Sequence, residues 1–293
     1  VNEHQAEALR RAGEGARFVL PQLASPIRPD DLATGQWVAE EKYDGHRICV
    51  SVNDPSVGLE GRGTVRAWSR NGIERVLPPH VRTELARLSS GTYDGELYAP
   101  GKRSYGTAAL ENEAVLELVI FDVTDLLGRD LTCYPDAQRR EFLKVIFARP
   151  EFADLRAVRL AWRQPISSLA EAEEIAVEVM ARDGEGLILK RVDAPYVPGK
   201  RARAWMKIKA LRTAVLTVVA WREGLLGPHS VAVLRDDEGH ETTVKSAGGE
   251  TVGLANVEAN WQRYLGRRLR IEYQERTPDG GYRHPRWDRW EDQ

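Results

Sequence analysis

Lys42-Tyr43-Asp44-Gly45-His46-Arg47 is the stretch that decides how this 293-residue chain is read. A lysine stands two residues before an Asp-Gly pair, and an arginine stands two residues after the glycine. Val38 lies upstream and Ile48-Cys49-Val50-Ser51-Val52 follows, so the segment reads as strand, turn, strand. Such a turn presents one amine at a strand end, beside a carboxylate and a guanidinium. Taken alone, a solvated hairpin turn explains the hexapeptide as well as a reactive lysine does.

The downstream order removes that ambiguity. Ser69-Arg70-Asn71-Gly72 comes first, then Asp94-Gly95-Glu96-Leu97, then Leu118-Val119-Ile120-Phe121-Asp122-Val123. Glu185-Gly186-Leu187-Ile188-Leu189-Lys190 and Trp205-Met206-Lys207-Ile208-Lys209 complete the series. The set, in this order, resembles the nucleotidyltransferase motifs of the ATP-dependent DNA ligases, closely over residues 20–210 and more loosely beyond. The resemblance implies an α+β chain. Its parts are a nucleotidyltransferase (ATP-grasp-like) domain of antiparallel sheets with helices over residues 1–210, and an OB-fold β-barrel over residues 211–293. It implies nick sealing in duplex DNA through a lysyl-AMP and then a DNA-adenylate, with ATP and Mg²⁺ or Mn²⁺ as cofactors.

An amine nucleophile must lose its proton, and a free lysine with a pKa of about 10.4 is neutral in only about one molecule in 2,500 at pH 7. A site using Lys42 therefore calls for nearby positive charge or desolvation, with Arg47, Lys207 and Lys209 as the candidate neighbours. Phosphoryl chemistry depends on positioning and charge neutralisation, so cations around the phosphate and carboxylates for a metal are the expected parts. By the resemblance, Lys42 is the adenylylated residue and Glu40 reads the adenine edge. Arg47 and Arg70 contact the nucleotide and the nick 5′-phosphate. Glu96 holds the ribose hydroxyls and, with Glu185, supports a metal. Phe121 stacks on adenine, and Lys207 and Lys209 contact the α-phosphate. Asp44 is read as structural, fixing the turn.

Hydrophobic residues make up 42% and charged residues 29% of the chain, as in ordinary soluble domains. The longest apolar runs, such as 214–221, are too short to cross a bilayer, and the first residues lack the basic and apolar blocks of a secretion signal. A cytoplasmic protein of a bacterial cell or a phage-infected host is expected. Cys49 and Cys133 form no Cys-x-x-Cys pattern and read as small buried hydrophobes in a reducing compartment. The net charge of −2 does not announce a nucleic-acid binder, but charge location matters more. Lys200, Arg201, Arg203, Lys207, Lys209 and Arg212 form one acid-free basic segment. Arg263, Arg267, Arg268 and Arg270 form a second, and Arg283, Arg286 and Arg289 a third. Trp205, Trp261, Tyr264, Trp287 and Trp290 are interleaved with them, which suits contact with a phosphate backbone. The expected partner is nicked duplex DNA, bound by a monomer.

Strands are expected near 36–41, 47–53, 64–69, 92–98 and 115–122, with a loop over 54–63 and a helix over 135–148. Residues 3–12 read as a short helix. Ser168 to Arg182 is the clearest helix, with a Ser168/Glu171 capping box, an apolar stripe of Leu169, Ala172, Ile175, Ala176 and Val179, and Gly184 beyond its end. Past residue 209 short strands follow near 213–221, 229–235, 240–246 and 267–275, with a helix near 254–265, the pattern of a small barrel. Family members close that barrel with an arginine-rich motif ending Arg-x-Asp-Lys that orients pyrophosphate. Here the ending Asp288-Arg289-Trp290-Glu291-Asp292-Gln293 is abbreviated and lacks the lysine, so Arg286 competes with Arg289 for that role. The short segment ahead of the motifs and the short 236–240 connection point to a minimal ligase.

An mRNA-capping guanylyltransferase and an RNA ligase also use a Lys-x-Asp-Gly lysine. Ser69-Arg70-Asn71-Gly72, Glu185-Gly186 and the Trp-x-Lys-x-Lys pattern favour the DNA enzyme over capping, and Arg47 favours it over RNA joining. A non-catalytic nucleic-acid-binding scaffold is disfavoured by the intact set of Lys42, Glu96, Glu185, Lys207 and Lys209.

Overall fold

Side-chain alternation builds two sheets that each turn one apolar face to helices and one polar face to a shared cleft. A computed structural model describes residues 18–28, 30–53, 64–100, 116–182, 184–209, 212–224, 227–245, 261–273, 275–277 and 279–291. The chain divides into two units, Val1–Ile208 and Lys209–Gln293. The expected helix over 3–12 and loop over 54–63 lie outside the described residues.

In chain order the first unit carries β1 (Leu23–Pro26), β2 (Trp37–Glu41), β3 (His46–Val52), β4 (Val65–Ser69), β5 (Glu74–Arg75), α1 (Pro79–Leu85), β6 (Gly91–Tyr98), β7 (Glu117–Leu126) and β8 (Arg129–Asp130). It continues with α2 (Asp136–Phe147), β9 (Val158–Leu160), β10 (Arg163–Ile166), α3 (Leu169–Ala181), β11 (Gly186–Arg191) and β12 (Arg201–Lys209). One sheet runs β1-β12-β11-β2-β10. The other runs β5-β4-β3-β6-β7-β8, with β9 added in parallel to β7. The strands and both long helices expected from the sequence in this unit are present, whereas α1 carries no periodic stripe long enough to read.

In the second sheet Ile48, Val50, Val52, Tyr93, Leu97, Leu118 and Ile120 pack against Val81 and Leu85 of α1 and Leu143 and Ile146 of α2. Period-2 alternation then sends Arg47, Asp94, Glu96 and Phe121 to the opposite face. Register aligns them, with Arg47 opposite Glu96 and Cys49 opposite Asp94. In the first sheet Ala39, Leu187, Leu189 and Met206 bury against Ala172, Ile175, Ala176 and Val179 of α3. Glu40, Ile188, Lys190, Trp205 and Lys207 take the other face. Leu187 and Leu189 are wholly buried, each contributing roughly 1.5–3 kcal/mol.

The cap of α3 differs in detail from the expected reciprocal box. Ser168 Oγ accepts from the Glu171 N–H at 3.1 Å. The returning Glu171 carboxylate instead accepts from the Ser167 N–H at 2.8 Å and the Ser167 hydroxyl at 2.7 Å.

The second unit contains β13 (Arg212–Gly224), β14 (Gly227–Arg235), β15 (Glu241–Lys245), β16 (Arg268–Tyr273), β17 (Glu275–Arg276), β18 (Tyr282–Arg283) and β19 (Arg286–Trp290). Five of them pair in the order β15-β14-β13-β16-β19, and the edge strands β15 and β19 touch, curling the sheet toward a barrel. Leu216, Val218, Ala232, Leu234, Val244, Leu269 and Ile271 fill it. The helix expected near 254–265 falls mostly outside the described residues, and its end, Trp261–Tyr264, is a short 3-10 turn.

Candidate active site

The turn carrying Lys42 is the point where the chain leaves one sheet for the other. β2 belongs to the first sheet and β3 to the second, so residues 42–45 bridge the two polar faces. The Lys42 N–H donates to the Gly186 carbonyl at 2.9 Å. Gly186 sits at φ 133°, a conformation that residues other than glycine rarely adopt. It delivers Glu185 to the turn, and the Glu185 carboxylate pairs with the Lys42 amine. Gly45 is required for a different reason. A Cβ there would lie 2.2 Å from the Leu97 carbonyl oxygen and 2.8 Å from Tyr98 Cβ, so the turn packs directly on the backbone of β6.

Around this turn opens a cleft of about 910 Å³ lined by both sheets. Glu40, Lys42, Arg47, Arg70, Glu96, Phe121, Glu185, Arg201 and Lys207 all border it. The structure thus brings together most of the side chains singled out in the sequence. Arg70 is exposed and borders the cleft on the loop after β4. Lys200 is exposed ahead of β12. Arg203 pairs with Asp31, and Arg201 donates to the Ala24 carbonyl, so both are engaged within their own unit. The Lys209 side chain lies outside the described residues. Arg286 and Arg289 are exposed on β19 of the second unit.

Three assignments acquire a physical content that the motifs did not carry. First, the group on the Lys42 amine is an acid, Glu185, where the sequence pointed to cations. Second, the Arg47 guanidinium forks onto Asp94, with Nε to Oδ1 at 2.6 Å and Nη2 to Oδ2 at 2.5 Å. Nη2 also donates to the Gln22 carbonyl at 3.2 Å, and the Tyr196 hydroxyl donates to Asp94 at 2.7 Å. Arg47 lies 4.8 Å from the Phe121 ring centroid, so it borders the ring while its fork is committed to Asp94. Third, the Glu40 carboxylate is buried and paired. Arg163 donates to Oε1 at 2.8 and 2.6 Å, and Lys190 stands 2.9 Å from Oε2. Burial pushes Glu40 up, but the Lys190 and Arg163 charges outweigh it and hold the carboxyl below its ordinary value.

That pairing belongs to a buried charge network behind the cleft. Arg163 also forks onto Asp136 at 2.7 and 3.2 Å, and Arg139 onto Asp122 at 2.7 and 3.0 Å. Lys190 donates to the Phe121 carbonyl at 2.9 Å and lies 4.9 Å from its ring. The carbonyl bond anchors the strand that carries Phe121. No local pattern in the sequence marks Gln22, Arg139, Arg163 or Tyr196, because the fold alone brings each to its partner.

Glu96 is the titratable outlier of the cleft. Burial pushes its carboxyl up to about 7, helped by the Glu185 and Asp94 charges and opposed by Arg47 and Lys42. Glu96 and Glu185 border one cleft and offer oxygen donors of the type that suits a hard divalent cation. Among the described residues, three metal-capable groups cluster only at Asp236, Glu238 and His240 of the second unit. Arg276 already neutralises that cluster at 2.7 and 3.3 Å from Asp236 and Glu238. Although burial pushes Asp236 up, hydrogen bonds from Arg276, the His240 N–H and Tyr282 hold it well below the usual carboxylate range.

Two sheets enclosing a lysine-bearing cleft, followed by a curled five-stranded sheet, make the fold of the nucleotidyltransferase and OB domains of ATP-dependent ligases. The chain belongs to the ATP dependent DNA ligase domain family, whose profile matches residues 21–209. The DNA ligase of Methanothrix thermoacetophila is 30% identical over 271 residues, covering 82% of this chain and 45% of that protein. The chain spans about half the length of the curated relatives it matches. Among solved structures, a Lig E DNA ligase superposes with a TM-score of 0.66 at 19% identity, covering 94% of this chain and all of that one. The ligase domain of M. tuberculosis LigD gives 0.55 at 22% identity, covering 94% and 95%. At these identities the structural likeness speaks to fold. No described helix is long and apolar enough to cross a membrane.

Proposed function

We propose that this chain is an ATP-dependent DNA ligase that seals nicks in duplex DNA, with residues 1–210 as the adenylation domain and 211–293 as an OB domain. The observation that carries this reading is the Lys42 amine held by Glu185 in one cleft with Glu96, Phe121 and Lys207.

In the proposed reaction the Lys42 Nζ, its proton released to solvent, attacks the α-phosphate of ATP. The bond to the β-phosphate oxygen breaks, pyrophosphate departs, and AMP remains on Nζ through a P–N bond. A nick 5′-phosphate oxygen then attacks the same phosphorus and frees the lysine. The 3′-hydroxyl finally attacks the activated 5′-phosphate, expelling AMP. Glu185 orients the amine before ATP arrives and Glu96 holds the ribose hydroxyls. Phe121 supports the base, and Lys207 neutralises charge on the α-phosphate. Glu96 and Glu185 are the residues that would hold Mg²⁺, which when bound supplies further neutralisation of phosphate charge. Arg70 meets the nick phosphate.

With ATP and Mg²⁺ the protein gains the mass of AMP on Lys42, Lys42→Ala loses it, and the charged protein seals a nicked duplex. Labelling by GTP without labelling by ATP would replace this reading with capping.

A further inference from the structure

The Lys42–Gly45 turn is held on its far side by a device that the reaction itself does not use. Tyr43 is buried beside the nucleophile. Its ring lies 5.0 Å from that of Tyr98, and Tyr98 Cβ is one of the atoms against which Gly45 packs. One guanidinium serves both rings. Arg159, on β9, has its Cζ 5.2 Å from the Tyr43 centroid and 5.4 Å from the Tyr98 centroid. Its Nη2 donates to the Tyr98 hydroxyl, and its Nη1 approaches the Tyr43 hydroxyl at 3.5 Å. Its Nε donates to Glu117 at 3.2 Å, which fixes the plane of the fork. Tyr43 also packs in one cluster with Val119, Ala161 and Phe121, so the same contact lies behind the ring proposed for adenine.

We infer that Arg159 is a positioning residue for the nucleophile: by clamping Tyr43 and Tyr98 it fixes the sheet-crossing turn and with it the reach of the Lys42 amine. The inference rests on the proposed role of Lys42. Physical chemistry favours a clamp over a simple surface ion pair. A planar guanidinium set beside two rings, with three donors committed, holds a fixed geometry that an ammonium cannot reproduce. The other end of the turn is already tied, by the Lys42 N–H to Gly186. At the second sheet Gly45 rests on the β6 backbone, and Arg159 adds the side-chain anchor that holds Tyr43 there. Its carboxylate partner Glu117 is 29% exposed, so loss of Arg159 leaves that charge within reach of water.

The test compares the parent, Arg159→Met, Arg159→Lys and Tyr43→Phe in single-turnover formation of lysyl-AMP over a range of ATP concentrations. It is paired with sealing of a pre-adenylylated nick. Displacement of an attacking group by about 1 Å costs up to about 10²-fold in rate. The expected result is therefore a 10- to 100-fold lower maximal charging rate for Arg159→Met, with half-saturating ATP changed less than threefold. Arg159→Lys should recover little, Tyr43→Phe should fall between, and a variant carrying both Arg159→Met and Tyr43→Phe should be no worse than Arg159→Met alone. Sealing of the pre-adenylylated nick should stay within threefold of the parent, a readout that general loss of fold would not spare. A parental charging rate in folded Arg159→Met overturns the clamp, and so does full rescue by lysine. Should Arg159→Met fail to fold, Tyr43→Phe and Arg159→Lys decide alone, and parental rates in both overturn it. A parent that forms no adduct on Lys42 refutes instead the function on which the clamp rests.

Discussion

Gly45→Ala is the sharpest available perturbation of the site, because the obstacle its methyl group meets is backbone. The added Cβ would stand 2.2 Å from the Leu97 carbonyl oxygen and 2.9 Å from the Leu97 carbonyl carbon, where real Cβ atoms essentially never come under 3.0 Å. The shortfall is about 0.8 Å, and no side-chain rotation relieves it. Leu97 is a buried residue of β6 next to Glu96, and β6 is paired on both sides. The lighter element, the turn, must therefore move, carrying Lys42 with it. Gly45 is not among the residues with positive φ, so alanine brings a displacement and no conformational strain of its own. Overpacking of this size costs roughly 1–3 kcal/mol of stability. A nucleophile moved by about 1 Å loses up to about 10²-fold in rate. The assay is intact-protein mass measurement of AMP incorporation in a single turnover at saturating ATP, alongside a thermal unfolding scan. A folded Gly45→Ala protein that charges at the parental rate would refute the argument that close approach to β6 sets the position of Lys42.

Three further outcomes follow from the same geometry. Burial raises the Glu96 carboxyl from 4.5 to about 7. Its neutral form is thus favoured in the folded state, and that stabilisation is fully present below pH 4.5 and lost as pH rises through 7. At about 1.4 kcal/mol per pH unit, Glu96→Gln should gain up to about 3 kcal/mol on the parent between pH 4.5 and 8 in denaturant unfolding; a pH-independent difference contradicts this. Arg163→Met leaves Glu40 and Asp136 buried without their shared guanidinium and should cost about 3–5 kcal/mol, and a loss below 1 kcal/mol by chemical denaturation would show that the network relaxes freely. Glu185→Ala should keep the parental melting temperature within a few degrees, because this carboxylate carries little packing, while losing most lysyl-AMP formation. Parental charging across a Mg²⁺ titration would remove Glu185 from the site.

Much of this chain was legible as a pattern. Period-2 alternation in β3, β6, β7 and β11 separates the residues that meet helices from those that face the cleft, and the motif order names the side chains that gather there. The apolar stripe of α3 and its Ser168 cap were readable because both are local. The residues that hold the site were not. Arg47 belongs to a motif, yet nothing in its neighbourhood says that its fork goes to Asp94 or that Tyr196 completes the arrangement. Motif spacing surrounds Lys42 with cations, whereas folding gives it Glu185, 143 positions away. Arg159 and Arg163 sit on short edge strands that read as ordinary polar sequence, and only their packing makes them partners of Tyr43 and Glu40. The Asp-Gly of the turn looked like a demand for turn conformation, and it is a demand for room beside Leu97. Periodicity and motif spacing are properties of the chain taken a few residues at a time, so they determine which face a side chain occupies and which chemistry it can do. Which charge meets which, and how closely two backbones approach, depends on sheet register and on contacts over a hundred residues or more, and those distances exist only once the two sheets have closed around the cleft.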